Sequence, residues 1–190
     1  VRFLITPFKP IDTRTHFSTR LVHQHVPVDS VAAWGGTVVN IHHANEINPY
    51  INYPFFNLEA QSAYIAEAHA KGIKVKLYDT IRELTYRAHE LFALRSLGDE
   101  ILNDGEGASR WTNYYIEGLR WLAGNQQIDG LYLDDIAFSR ATVKRLVNVL
   151  HESRDEVVID LHSANQFNVR DGFINSAMPY MEHFPYISRL

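Results

Sequence analysis

Acidic and imidazole side chains collect at a few points of this sequence, each at the end of a run rich in β-branched residues: His42-His43, Asp79, Asp134-Asp135, His162-Ser163 and Glu182-His183. Paired carboxylates suit glycosidic bond cleavage. One protonates the leaving oxygen while the other attacks, activates water or stabilises an oxocarbenium-like transition state. Asp134, Asp135 and Glu182 are the candidates. Two adjacent aspartates also suit substrate-assisted hydrolysis of N-acetyl sugars, in which one orients the acetamido group and the other is the acid/base. Their proximity is expected to keep one protonated near neutral pH. The competing reading makes either aspartate the N-cap of the next helix. His42, His43, Asp160 and His162 could instead ligate a catalytic metal, as in metal-dependent barrel hydrolases. They lack an inward His-x-His pair, and the favoured role for His42 and His162 is hydrogen bonding to substrate hydroxyls or carboxylates. No metal and no cofactor is expected.

These residues need elements to present them. The β-rich runs are 1–5, 37–42, 73–78, 130–134, 157–162 and, more weakly, 177–182. Helical periodicity fills 58–71, with Asn57 as N-cap and Gly72 as stop, and also 81–102, 110–123 with Gly124 beyond, and 140–152. Strand-helix alternation with short links predicts a parallel sheet in an α/β fold. An open doubly wound sheet is the alternative, but no Gly-rich dinucleotide turn or phosphate loop follows any strand. Polar residues at several strand ends favour a (β/α)8 barrel, whose active site forms there. About six of its eight strands fit, and both ends cut through pattern. Residues 1–190 therefore read as one partial barrel domain continuing beyond Leu190.

Strand parity sorts the side chains. In 130–134, Leu131 and Leu133 face the helices while Tyr132 and Asp134 face the barrel, with Asp135 just past the strand. By the same rule Asn40 and His42, Lys76 and Tyr78, Asp160 and His162, and Tyr180 and Glu182 point inward. Arg82-Glu83, after the 73–78 run, could hydrogen-bond a sugar or pair with each other. His23 and His25 read as surface residues of a loop. The aromatic groups Tyr50, Tyr53, Phe55, Phe56 and Trp111, Tyr114, Tyr115 could stack on sugar rings or fill the core, and the 48–56 loop favours the substrate-facing reading.

Composition narrows the partners. The 190 residues are 46% hydrophobic and 21% charged with net charge −4, which offers no basic field for nucleic acid. No run is long and apolar enough to predict a membrane span. The absence of cysteine removes disulfides, thiol nucleophiles and Cys-ligated metals.

Several segments resemble a bacterial glycoside hydrolase-like (β/α)8 barrel family akin to glycoside hydrolase family 123. They are Ile5-Thr6-Pro7-Phe8-Lys9-Pro10, residues 48–55, Arg82-Glu83-Leu84, Gly130-Leu131-Tyr132-Leu133-Asp134-Asp135-Ile136-Ala137-Phe138, Ile159-Asp160-Leu161-His162-Ser163-Ala164-Asn165 and residues 180–186. The resemblance implies a glycosidase acting on a polysaccharide or glycoconjugate, a carbohydrate partner, and an extracellular or periplasmic location in glycan-feeding bacteria. The family uses an adjacent Asp-Glu pair where this chain has Asp134-Asp135. The Leu133-Asp134-Asp135-Ile136 stretch also resembles the paired aspartates of family 84 N-acetylglucosaminidases. In α-galactosidase-like barrels a nucleophilic Asp follows strand four and an acid follows strand six, a pattern that Asp134 and Glu182 fit. The short 103–110 link is a further departure, implying an absent lid loop or a more open cleft. A non-catalytic glycan-binding barrel is the third reading.

Overall fold

A computed structural model describes residues 10–80, 84–96, 110–134, 138–162 and 178–190. The run at 1–5, the helical pattern over 97–102, and Arg82, Glu83 and Asp135 lie outside the described residues.

Element order is α1 (Thr13–His16), β1 (Leu21–Val22), α2 (Val28–Ala33), β2 (Val38–Ile41), α3 (Leu58–Ala70), β3 (Lys74–Asp79), α4 (Glu90–Ser96), α5 (Arg110–Trp121), β4 (Gly130–Asp134), α6 (Arg140–His151) and β5 (Val158–His162), followed by a 3-10 turn at Met178–His183. The five strands pair in parallel in the order β1-β2-β3-β4-β5. A doubly wound sheet reverses direction at a switch point, whereas this one advances one neighbour at a time. It is a curled half-barrel, a partial (β/α)8 fold. The next position is already started: Ser188 N donates to Ile159 O at 2.7 Å and Leu161 N to Arg189 O at 2.9 Å.

Both sheet faces are covered, so β2 and β3 read as almost continuous buried runs. Val39, Ile41, Val75, Leu77, Leu131, Leu133, Ile159 and Leu161 pack outward against Val31, Ile65, Ile116, Leu119, Leu146 and Leu150 of the helices. Gly72 stops α3 at φ +69, a conformation that glycine adopts without penalty. Asn57 stands at the N-cap but its amide donates to Glu46 O at 3.1 Å rather than capping. Ser139 does cap α6, accepting from Thr142 N.

Several expectations shift. Leu21–Val22 is a strand that two residues were too few to signal. The 81–102 periodicity is borne by buried Leu84, Ala88, Leu91 and Leu94, but in the described part only Glu90–Ser96 is helical, because Thr85 ties a turn by accepting from Arg87 N and Ala88 N. Gly124 does not end α5. A π-turn carries the chain through Leu122–Gln126 to Gln127 at φ +63. The weak strand at 177–182 is instead the 3-10 turn against α6, with the Arg140 guanidinium over the Tyr186 ring. Among the described residues no helix is long and apolar enough to cross a membrane.

Gly130 is dictated by the sheet. A β-carbon there would lie 1.8 Å from Val158 O, a collision with the neighbouring strand's backbone. Gly130→Ala is expected to destabilise the fold by about 3 kcal/mol or more. At Gly124 a β-carbon meets nothing nearer than Ser153 Oγ at 3.5 Å, so Gly124→Ala should stay within about 1 kcal/mol of the parent. Urea unfolding of both variants checks the contrast.

Candidate active site

The parity reading places four strands' polar residues on the concave face, and the structure brings the described ones together. Lowest in the mouth lie Asn40 of β2 and Lys76 of β3, both with no solvent exposure. Lys76 is in register with Gly130, and its Nζ lies over the ring of Tyr132 on β4, 5.6 Å from the centroid. The lysine reaches across β4, roughly two strand spacings or about 9–10 Å, to pair with Asp160 of β5. Asp160 also takes two hydrogen bonds from Arg189, at 2.9 and 2.5 Å. Burial pulls the Lys76 ammonium down to about 8, against the opposing pull of Asp160.

Above this ion cluster runs a row of rings. His42 packs on Tyr78 with centroids 3.9 Å apart, Tyr78 stacks on Tyr132 at 5.8 Å, and Tyr132 stacks on His162 at 6.2 Å. The row follows the register, since Tyr78 faces Tyr132 across β3 and β4. Asp134 sits at its upper edge, accepting from the Tyr78 hydroxyl at 2.5 Å through Oδ2 and meeting His162 Nδ1 at 2.6 Å through Oδ1. Burial, reinforced by Asp134 and Asp160, raises the Tyr132 phenol above its usual range and keeps it neutral.

His23, expected to be a surface residue of a loop, is exposed and also joins this group. Its ring lies 4.4 Å from Tyr132 and 5.4 Å from His42, and its Nδ1 is 3.3 Å from the Asn40 amide nitrogen. Burial, then His42 and Lys76, lower its pKa. The only signal in the sequence was its position after Leu21–Val22. Arg189 was missed for a similar reason, because it enters through a strand position that the periodicity does not reveal. In a continuing strand His43 would turn away from His42. The strand ends at Ile41, and beyond it both rings approach Tyr78, His43 at 4.8 Å.

Glu182 is corrected in position. It lies in the 3-10 turn, half exposed, with Oε1 3.9 Å from His183 Nε2, and does not sit on the inward face of a strand. Tyr180 lies in the same turn. Within the aromatic loop at 48–56, Phe55 turns toward the helices, while Phe56 is exposed and packs on Tyr50. Asn52 clasps Thr80 through both its amide groups, and Phe55 packs edge-on to Trp121 at 6.0 Å. Trp111 and Tyr115 are core residues, 1% and 5% exposed. Among the described residues no three His, Asp or Glu side chains form a metal-ligand set.

The rings of the mouth occupy one another's faces. They offer edges, hydroxyls and ring nitrogens to a ligand, a surface suited to hydrogen-bonding a polyhydroxylated molecule more than to stacking on it.

A sequence profile described as the glycoside hydrolase 123 TIM-barrel domain matches residues 12–109 and 106–190. A search of curated proteins found no match. Among solved structures, a Paenibacillus barengoltzii pullulanase complexed with maltohexaose and α-cyclodextrin superposes with TM-score 0.61 at 13% identity, over 95% of this chain and 40% of that one. A Geobacillus thermoleovorans α-amylase complexed with acarbose gives 0.58 at 12% identity, over 78% and 47%. An α-galactosidase from Thermus thermophilus in complex with stachyose gives 0.56 at 13% identity, over 85% and 48%. The chain spans half or less of these structures' lengths, and at such identities the likeness is one of fold.

The Lys76 environment makes a pH prediction. Its folded value of about 8 lies below the 10.5 of an unperturbed lysine. Between those values the unfolded chain holds the extra proton, so stability rises with pH, and below about pH 8 the gain is absent. Urea unfolding should show about 1–2 kcal/mol gained between pH 8 and 9.5. Lys76→Met, which leaves Asp160 paired with Arg189, should abolish that rise.

Proposed function

The chain belongs to the glycoside hydrolase 123 TIM-barrel family, and on that premise we propose that it hydrolyses O-glycosidic bonds of a polysaccharide or glycoconjugate at the mouth around Asp134. The observation that carries this reading is the Asp134 carboxylate at the C-terminal end of β4, with one oxygen on Tyr78 and the other on His162. Active sites of this barrel form at that end of the strands. Two partners hold the carboxylate in one orientation before substrate arrives, which is what electrostatic and positional catalysis needs.

Substrate assistance fits this arrangement best. Asp134 accepts the acetamido N–H of an N-acetylhexosamine and turns the acetamido oxygen toward the anomeric carbon. That oxygen forms the new bond as the glycosidic C–O bond breaks. Asp135 gives the leaving oxygen a proton, then takes one from the water that opens the cyclic intermediate. Glu182 is the runner-up acid, in the pattern where Asp134 attacks directly; its turn packs against α6, and its nearest described ionic neighbour is His183. His42, Tyr132 and His162 line the sugar subsite, joined by His23, with Asn40 and Asp160 supporting them from the buried layer beneath. Arg82, Glu83 and Tyr180 are further contacts in this reading. A secreted or periplasmic bacterial setting accompanies it.

The test is release of nitrophenol from a panel of nitrophenyl glycosides, N-acetylhexosaminides included. Asp134→Asn should lower turnover by about 10²–10⁴-fold. Tyr78→Phe should cost about 10–100-fold, the worth of one hydrogen bond to a charged group. A loss of a few-fold or less in Asp134→Asn overturns the assignment. Glycan binding without turnover by the full-length protein would indicate a non-catalytic barrel, and activity lost to chelators a metal-dependent one.

A further inference from the structure

Asp79 ends β3 with its side chain on the opposite face from Tyr78, toward the helices. It is 2% exposed. With Asn52, Phe55, Tyr114, Tyr115 and Gly118 it lines a cavity of about 10 Å³ between β3 and α5. Among the described residues, three buried polar atoms of that lining have no hydrogen-bond partner: Asp79 Oδ2, Tyr114 Oη and Tyr115 Oη. Native folds leave few such groups unsatisfied, and three around one cavity need a common explanation.

We propose that this cavity is a binding site for one water molecule, held by Asp79 Oδ2 and the hydroxyls of Tyr114 and Tyr115. The size fits, since about 10–15 Å³ accommodates a single water. The lining fits as well, because a buried water makes about three hydrogen bonds to groups that otherwise lack partners. The two phenols can each donate or accept, and burial pushes the Asp79 carboxyl well above the usual carboxylate range. A neutral carboxyl supplies both a donor and an acceptor, whereas a bound cation would require the charged form that burial disfavours. The water would fasten the mouth end of β3 to α5. The anchored point lies between Tyr78, which holds Asp134, and Thr80, which Asn52 clasps. This site does not depend on the glycosidase reading.

A high-resolution crystal structure of the protein, repeated after a rubidium soak, tests it. The expected result is one peak about 2.6–3.2 Å from Asp79 Oδ2 and from both tyrosine hydroxyls, with no anomalous signal. A dry cavity, with Asp79 turned onto a protein group, overturns the proposal. An anomalous rubidium peak overturns it in favour of a cation site. In solution, Tyr115→Phe should lower Tm by about 2–4 °C, and Asp79→Asn, which keeps a hydrogen-bonding group, by less. An unchanged or raised Tm in Tyr115→Phe counts against the water.

Discussion

A lysine ammonium with no access to solvent must find its counter-charge inside the protein, and Lys76 finds it two strands away on Asp160. Removing one partner of such a pair leaves a buried charge that destabilises by about 3–5 kcal/mol. The sheet is therefore held to one arrangement. A register slip of one residue would turn Lys76 into the apolar layer facing the helices. Exchanging the order of β3, β4 and β5 would separate it from Asp160. Arg189 on the same carboxylate ties the residues after the 3-10 turn to the edge of β5. The polar contacts of the mouth stand on this ion cluster.

What stands on it is a set of rings ordered by the backbone. Because parallel strands in register place Tyr78 beside Tyr132, the row needs no loop to organise it. Asp134 inherits that order through two hydrogen bonds, one from each neighbouring strand. Its position is thus set by β3 and β5 as much as by β4. A carboxylate positioned by rigid strands can be aligned more closely than one carried on a loop.

Much of this was legible because strand parity is a strong rule. Residues 40, 76, 78, 132, 134, 160 and 162 converge as the alternation of inward and outward positions requires, with His42 joining them from just past the end of β2, and the apolar alternates face the helices. Parity failed where the element was something else. Residues 178–183 carry a short apolar pattern, yet they form a 3-10 turn, and with the strand went the inward placement of Glu182. Leu21–Val22 failed in the opposite sense, since two residues show no period. His23, just past it, read as a surface loop residue, which it is, but its contacts with Tyr132 and His42 carried no signal in the sequence. The 48–56 loop misled through composition. Its aromatic residues suit a sugar surface, but the Asn52–Thr80 clasp turns Tyr53 and Phe55 toward α5, and nothing in the chain order signals a contact 28 residues apart.

Lys76, its register partner Gly130 and its ion partner Asp160 are far apart in the chain. A relative with a side chain at 130 would have to move the β5 backbone away, and in doing so would shift Asp160 from the lysine's reach. A relative without the lysine would still need glycine at 130, because the collision there is with the Val158 backbone, and would keep Asp160 paired with Arg189. Position 130 should therefore stay glycine over evolutionary time even where position 76 varies.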